Sequence, residues 1–409
     1  MTKKFEAFSP EAQKRLAEEA AGYQKRMAKI PYNEGRPELF ETKIFRLQRE
    51  GAVTGNEKKL LVATRDPGSG SALEPVLKEL IDDEEIEIYV VTDGRAQEII
   101  QKNFLTEDIT PPDMVLKASN VTGIPDVILM DRSSEMGIDT YAAATFPGVL
   151  KILVEDYYAN SIEYLSALKE RDLPLPEKIC VIDKGAKELI TNKFPELEDR
   201  IVVTGQPAFD RFAHEDTQKI SREVKQRLHL QPEDKIISFM AALDEPAKIK
   251  KMAEALQKAG GDFYFVFRPH PRDNIRYETY ERMFIDAGVK IINMQDFTSD
   301  EIGAASDVVL TSWSTEGLNG IYRRKPTAHI TDRDFSINAG YDPPLVPVRI
   351  GASVGINHMD ELVAVLPQLL NTNSPLNHSL REKMEQEYPV DGKNAKRVAD
   401  IIREYLEKK

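Results

Sequence analysis

Cysteine is almost absent from the sequence. Cys180 is the single cysteine among 409 residues, so no disulfide framework can form within the chain. It lies inside the apolar run 178–182, which is typical of a buried strand, so we interpret it as a core residue rather than a nucleophile. Histidine is also scarce, and no Cys or His pair has the spacing of metal ligands. The sequence therefore predicts no metal site.

Long apolar runs and an excess of positive charge are missing as well. No stretch is long enough to span a bilayer and no signal peptide is recognisable, so we expect a cytoplasmic protein. The net charge of -13 argues against general binding to nucleic acid, and no nucleic-acid partner is expected. The composition, 41% hydrophobic and 30% charged, is that of a soluble globular protein. Because 409 residues are too many for one core, two domains are predicted.

Strands alternate with helices along most of the chain. Each apolar run ends in an acid, a Ser/Thr or a Gly, which is typical of a doubly wound parallel sheet. The pattern restarts after a link near 205–214. We predict an α/β protein with two Rossmann-like doubly wound parallel-sheet domains facing a cleft, with an N-terminal helical extension. The predicted segments are the extension 1–56, which packs on the next domain or serves as an oligomerisation arm, the N-terminal domain 57–208, the C-terminal domain 209–390 and the C-terminal helix 391–409.

The loop 64–71 follows the first apolar strand of the N-terminal domain and contains Gly68. It lacks the Gly-x-Gly-x-x-Gly spacing of a dinucleotide site, and no Gly-Lys-Ser/Thr of a Walker loop follows. A glycine-bearing turn still lets backbone N–H groups face a ligand at a helix N-terminus. Gly68 is therefore a candidate binding residue.

The stretch 263–272 reads as a buried central strand that stops at Arg268-Pro-His270-Pro-Arg272. Five apolar or aromatic residues in a row predict burial on both faces, and the two prolines end the ladder. Open α/β sheets bind ligands at such carboxyl ends, and arginine and histidine suit phosphate. Arg272 is either part of this cation set or a solvated loop residue.

A second polar turn, 311–316 (Thr-Ser-Trp-Ser-Thr-Glu), follows the strand predicted at 307–310. Ser314, Thr315 and Glu316 start the next helix, so backbone N–H groups face an anion there. Plain N-capping explains the same residues equally simply. A Thr-Gly205-Gln-Pro segment precedes both motifs in the chain.

These three motifs, in this order, resemble the two-Rossmann-domain glycosyltransferase superfamily called GT-B. The likeness spans roughly 58–405 and is closest to the branch with UDP-N-acetylglucosamine 2-epimerases, lipid-A-disaccharide synthases and CDP-glycerol glycerophosphotransferases. The resemblance implies that the second domain holds a nucleotide-activated donor, and that Gly205 lies in the interdomain linker. Gly205 is a further candidate binding residue. The implied diphosphate and ribose contacts are Arg268, His270, Ser312, Ser314, Thr315 and Glu316. His270 is also a candidate catalytic residue. The loop at Thr64-Arg-Asp-Pro departs from the Thr-Arg-Pro-Glu motif of the epimerases.

The resemblance implies a transferase that moves a sugar or polyol phosphate from a nucleotide to an acceptor hydroxyl, without a metal, in cell-envelope or surface polysaccharide biosynthesis. The nucleotide-sugar is a co-substrate and no further cofactor is expected. Asp66 is the first candidate for general base, followed by Asp131 and Asp156, with Glu135 a weaker choice. Each acid could equally be a strand-end or capping carboxylate.

Two other interpretations stay open. One is a UDP-sugar 2-epimerase or hydrolase, and the other is a nucleotide-sugar binding protein without turnover. A peripheral contact with a lipid-linked acceptor is compatible with the transferase interpretation, and a homodimer is compatible with each interpretation.

Overall fold

The structure is a computed structural model of the chain. It describes residues 42–49, 57–110, 123–132, 137–157, 160–241, 246–270, 273–312, 314–332 and 345–408. The helix predicted from Ser9-Pro10, the acid Glu135 and the cation Arg272 lie outside these residues. Within them, no helix is long and apolar enough to cross a membrane.

The chain divides into two compact units. The first comprises Met1–Ala208 with Lys393–Lys409, and the second comprises Phe209–Gly392. The predicted segments 57–208 and 209–390 meet where these two units divide. The C-terminal helix, which we treated as a separate segment, belongs to the first unit.

The first unit contains an eight-stranded sheet with strand order β4-β1-β3-β2-β5-β6-β7-β8. Its strands are β1 Lys43–Leu47, β2 Lys58–Thr64, β3 Ile86–Thr92, β4 Thr106–Asp108, β5 Val127–Asp131, β6 Leu150–Val154, β7 Lys178–Val181 and β8 Ile201–Val203. Its helices are α1 Pro67–Leu80, α2 Ala96–Asn103, α3 Ile138–Thr145, α4 Ser161–Glu170, α5 Lys184–Lys193 and the C-terminal α14 Asn394–Glu407, with a 3₁₀ turn at Pro195–Arg200. Strands β2, β3 and β5 to β8 are parallel, as predicted.

Strand β1 corrects the predicted N-terminal extension. Lys43–Leu47 lies within the segment that we expected to be helical, yet it pairs antiparallel with β3 and with β4. Ile44 and Phe45 are buried there, which favours a strand at the side of a sheet over an exposed helix. The outer strand β4 is short and carries Glu107 and Asp108, a composition that protects a sheet edge from further pairing.

Both faces of the first sheet are covered by helices. The period-2 alternation of β2 sends Leu60 and Val62 to one face and Leu61 and Ala63 to the other, and the two sets belong to separate core clusters. Helix α14 packs beside α1 on the sheet face that carries Leu60, and it does so through the helix face that carries Val398. This double cover explains the near-continuous apolar strands of the sequence.

The second unit contains a parallel five-stranded sheet with strand order β10-β9-β11-β12-β13. Its strands are β9 Ile236–Met240, β10 Tyr264–Arg268, β11 Val308–Thr311, β12 Thr327–Ile330 and β13 Val354–Ile356. Its helices are α6 Thr217–Arg227, α7 Pro246–Ala259, α8 Tyr277–Asp286, α9 Ser299–Ala305, α10 Glu316–Tyr322, α11 Val346–Arg349, α12 Glu361–Leu370 and α13 Pro375–Glu387, and a 3₁₀ turn spans Pro207–Ala213.

Strand β10 is buried as predicted, but it is not central. Phe265, Val266 and Phe267 are at most 1% exposed, yet β10 is the terminal strand of the sheet. Among the described residues, the outer side of β10 pairs with the chain only through an isolated bridge between Phe265 and Ile291. At this bridge the Phe265 N–H donates to the Lys290 carbonyl and the Ile292 N–H donates to the Phe265 carbonyl, both at 2.8 Å.

A buried arginine holds the end of α10 in the second unit. Arg323 follows this helix directly and donates from Nε and Nη2 to the two carboxylate oxygens of Glu215, both at 2.7 Å. Nη2 also donates to Asp300 at 2.8 Å. Paired charges with ideal fork geometry tolerate burial. The helix that follows the polar turn 311–316 is therefore fixed at its C-terminal end.

Candidate functional site

The cation-bearing turn of the second unit begins where β10 ends. Arg268 is the last residue of the strand and is partly exposed, and its Nη1 donates to the Gln295 carbonyl at 3.2 Å. His270 is also partly exposed, and its carbonyl accepts the Asp273 N–H at 2.8 Å, which closes the turn. Because a guanidinium has five N–H donors, this one contact leaves Arg268 with further donor capacity for a ligand.

The turn 311–316 does not follow the strand adjacent to β10. In the sheet register, Arg268 and Thr311 both lie opposite Met240, so β9 separates the two strand ends. Strands are spaced by about 4.8 Å, which puts these two backbones roughly 10 Å apart. The structure therefore places the Arg268 and Ser312 turns on either side of the carboxyl end of β9, a span comparable to a diphosphate with its substituents.

Within the second turn, Ser312 is buried while Ser314, Thr315 and Glu316 are partly exposed. The Ser314 hydroxyl accepts the Glu316 N–H at 3.3 Å, and its carbonyl accepts the Gly317 N–H at 3.0 Å. Helix α10 spans only seven residues, so its dipole is small. The Ser314 hydroxyl therefore binds an N–H at the start of α10, although the N-cap residue Thr315 makes no side-chain capping bond. The ligand contacts predicted for Ser314 and Thr315 stay predictions.

Glu316 is held by its own helix. Its carboxylate accepts the Asn319 amide N–H at 3.0 Å. Burial raises the pKa of Glu316, and this hydrogen bond opposes the shift. The ribose contact that the resemblance implies for Glu316 stays a prediction.

Three of the predicted acids follow strands of the first unit and interact electrostatically. Asp131 ends β5 and is fully buried. Its pKa is raised well above the ordinary range, first by burial and then by the charge of Asp156, with Asp139 and Asp66 adding to the effect. One of its carboxylate oxygens, Oδ2, has no hydrogen-bond partner among the described residues. Asp131 is therefore a carboxylic acid that strongly favours its protonated form.

Asp156 follows β6 by two residues and is partly exposed. Burial raises its pKa to about 6, against the lowering effect of a 2.6 Å hydrogen bond from Asn160 and of the Arg132 charge. A Cβ atom added to Gly68 would lie 2.8 Å from Asp156 Oδ2. Gly68 therefore makes room for this carboxylate at the first turn of α1.

Asp66 is the residue that precedes α1. Its backbone is extended, with φ -79° and ψ 155°, and its side chain makes no capping hydrogen bond to the helix. It is partly exposed and contributes to the raised pKa values of both Asp131 and Asp156. The capping interpretation of Asp66 is therefore wrong, and its position beside Asp156 keeps it a candidate base.

Sequence reasoning did not select Glu155, although it lies beside these acids. Glu155 is fully buried, and burial together with the Asp183 charge raises its pKa well above the ordinary range. Its Oε2 accepts the Ile182 N–H at 3.3 Å. An acid placed directly after an apolar strand was the signal that could have found it.

Gly205 has a tight steric environment in the first unit. Its φ is +80°, and an added Cβ would lie 2.1 Å from Asn394 Oδ1 at the start of α14. Asn394 in turn donates to the Gln206 carbonyl at 3.1 Å. Both the positive φ and the close approach require glycine here. The binding role predicted for Gly205 stays a prediction beside this structural one.

Asp131→Asn is expected to flatten the pH dependence of stability. The pKa of Asp131 is raised above its unfolded value near 3.8. Its favourable contribution to the free energy of unfolding is therefore fully present below that pH and is lost as pH rises through the folded-state pKa. At pH 8 the variant should be more stable than the parent by about 1–3 kcal/mol, while the two should be similar at pH 4. Chemical unfolding at both pH values measures this difference.

The control is Asp126→Asn at the amino end of the same strand, where the carboxylate accepts the Lys59 N–H at 2.9 Å. Equal stability curves for the parent and Asp131→Asn would show that Asp131 carries no burial penalty. Glu155 and Asp156 retain their own raised pKa values, so some slope should remain in the variant.

No protein-family model matches the chain, and neither does any curated protein. Solved structures do. A glycosyltransferase from Rickettsia africae is similar at 14% identity and TM-score 0.57, over 87% of this chain and 100% of that chain. The UDP-GlcNAc 2-epimerase from Neisseria meningitidis bound to UDP-GlcNAc is similar at 17% identity and TM-score 0.60, over 86% of this chain and 100% of that chain.

The wall teichoic acid polymerase TagF, solved as its H444N variant with CDPG, is similar at 12% identity and TM-score 0.52. That likeness covers 98% of this chain and 99% of the TagF chain. Each of the three similarities spans both units. Together with the two helix-covered β-sheets, they confirm the predicted fold: the chain has the GT-B fold.

Proposed function

We propose that the protein is an enzyme that transfers a sugar or a polyol phosphate from a nucleotide-activated donor to an acceptor hydroxyl. The observation that carries the proposal is the similarity of the whole two-unit chain to structures named as a glycosyltransferase, a UDP-GlcNAc 2-epimerase and a wall teichoic acid polymerase. Building a cell-envelope or surface polysaccharide is the proposed context.

In the second unit, the donor diphosphate is proposed to bind between the turns on either side of β9. Arg268 and His270 supply donors from one side, with Arg272 beyond them in the sequence. Ser312, Ser314 and Thr315 supply hydroxyl and backbone donors from the other side. Such groups stabilise the negative charge that grows on the departing nucleotide, and this electrostatic effect is usually the largest catalytic contribution.

In the first unit, the acceptor hydroxyl is proposed to lose its proton to a carboxylate at the strand ends. The acceptor oxygen forms a bond to the activated carbon or phosphorus, and the bond from that atom to the nucleotide's phosphate oxygen breaks. Asp156 is the preferred base in this proposal: it lies against Gly68 at the start of α1, and burial raises its pKa to about 6, so it is ionised near neutral pH and yet accepts a proton. Asp66 beside it is the second candidate. No step requires a metal ion or a further cofactor.

A calorimetric screen of UDP, CDP, GDP and CMP conjugates tests the proposal. We expect one nucleotide class to bind, and Arg268→Gln to weaken its binding by about tenfold or more, since a hydrogen bond to a charged group contributes about 1.5–3 kcal/mol. Arg276→Gln, at an exposed arginine shortly after the same turn, is the matched control. Absence of binding for every conjugate would refute the proposal.

Product analysis distinguishes the transferase from the second candidate, a UDP-sugar 2-epimerase or hydrolase. The likeness to the Neisseria meningitidis epimerase structure favours that candidate. A free sugar or its epimer together with UDP would identify it, whereas a new glycoside or phosphodiester identifies a transferase. Tight binding without turnover on any acceptor would identify a binding protein instead.

A further inference from the structure

A fully buried histidine lies beneath the polar turn of the second unit. His329 is in β12, between β11 and β13, and is 0% exposed. In the sheet register it is opposite Thr311, the residue at which the turn begins. Its ring also reaches Ser353, with Nδ1 at 2.6 Å from the Ser353 hydroxyl oxygen. Because water does not reach this ring, its burial is unfavourable unless hydrogen bonds within the protein satisfy its nitrogens.

The hydrogen bonds fix the tautomer of this ring. The Ser353 hydroxyl donates its one proton to the Thr327 carbonyl, which can only accept, at 2.9 Å. The hydroxyl oxygen must therefore accept in its contact with His329, and Nδ1 must be the donor. Burial lowers the pKa of His329 to about 3, so the ring stays neutral and Nε2 carries no proton. His329 is thus a neutral ring with its one N–H directed at Ser353.

The opposite edge of the ring supports the first turn of α10. A Cβ atom added to Gly317 would lie 2.4 Å from Nε2 and 2.9 Å from Cε1 of His329. No side chain larger than hydrogen fits there while the ring is present. Gly317 is also the residue whose N–H closes the turn onto the Ser314 carbonyl. The ring therefore sets how closely this turn approaches the sheet.

We infer that His329 is a positioning residue that holds Ser314 to Gly317, at the start of α10, in their ligand-binding geometry, acting through its Nδ1–H anchor on Ser353 and its contact with Gly317. The inference rests on the proposed function for what the turn binds, a nucleotide diphosphate. His329 lies on β12, outside the motif 311–316, and by this inference it belongs to the residues that determine the affinity for the donor nucleotide. It also explains why glycine follows Glu316.

His329→Asn is the decisive substitution. The asparagine amide can replace Nδ1 as donor to Ser353, but it removes the ring edge beneath Gly317. We expect KM for the donor nucleotide to rise several-fold with a smaller change in kcat. Gly317→Ala should weaken nucleotide binding by about tenfold in the parent and by much less in the His329→Asn background, because contacting residues couple by about 0.5–3 kcal/mol. The residual effect would come from Thr311, whose Cγ2 would lie 2.9 Å from the added Cβ.

Gly320→Ala is the matched control within the same helix. Its Cβ would meet Thr327 Oγ1 at 2.7 Å and Val309 rather than His329. Its effect should be equal in both backgrounds. Additive effects of Gly317→Ala and His329→Asn on nucleotide affinity would overturn the inference. So would coupling that appears in thermal unfolding and not in affinity, because the contact would then be only structural.

Two measurements test the inference independently of nucleotide binding. Nitrogen-15 NMR of the imidazole should show a protonated Nδ1 and an unprotonated Nε2, and the reverse tautomer would overturn it. Trp313, the single tryptophan of the sequence, stands between Ser312 and Ser314 in the chain, so its fluorescence is the probe for this measurement. If the parent binds no nucleotide, the proposed function fails, and a shifted Trp313 emission in folded His329→Asn still supports the positioning role. Unchanged emission would refute it.

Discussion

Replacing Asp156 with asparagine is expected to lower kcat by about 10²–10⁴, the usual contribution of general base catalysis, with little change in donor affinity. The parent's kcat/KM should rise with pH through about 6, because the base must be ionised to accept the acceptor proton. This acidic limb should vanish in Asp156→Asn. Steady-state kinetics from pH 5 to pH 8, with the donor and acceptor identified by the screen, measure both effects.

The companion variant Asp66→Asn separates the two candidate bases. If Asp66 only raises the pKa of Asp156, its removal should shift the acidic limb to lower pH and leave the plateau rate intact. A plateau that falls by orders of magnitude in Asp66→Asn, with Asp156→Asn fully active, would assign the base to Asp66. Asp126→Asn, at the amino end of β5, provides an Asp-to-Asn control away from these strand ends.

His270→Ala is the second change with a large expected effect. If His270 donates to the diphosphate, the variant loses one hydrogen bond to a charged group, about 1.5–3 kcal/mol, and nucleotide affinity falls by roughly tenfold or more. Turnover should fall to background, since the same donor stabilises the charge that grows on the leaving phosphate. Calorimetry with the nucleotide and product assays measure the two losses separately.

The matched control is His378→Ala, at an exposed histidine in α13 of the same unit. Its affinity and turnover should equal those of the parent. A His270→Ala variant that binds and turns over normally would remove His270 from the site, and would leave Arg268 and the turn 311–316 to carry the phosphate interaction.

The sequence was sufficient to predict the alternation of strands and helices, the two β-sheets and the position of the polar motifs at strand ends. These features are local: a run of apolar residues fixes a buried strand, and Pro269 ends the strand ladder because it has no N–H to donate. Gly68, predicted to lie in a turn, instead lies in the first turn of α1. The resemblance of the three ordered motifs to GT-B proteins added the fold, which the solved structures then confirmed.

Only the tertiary structure decided which strands are neighbours, and the chemistry of the acids depends on that order. Strand β10 reads as central from its apolar sequence, yet it is terminal and separated from β11 by β9. Asp156 and Asp66 look alike in the sequence as strand-end acids. Asp156 acquires its raised pKa because folding buries it beside Gly68 and near Asp66. His329 carries no motif at all, and its role follows from its contacts with Ser353 and Gly317. Burial and through-space charge depend on residues distant in sequence, so no local pattern encodes them.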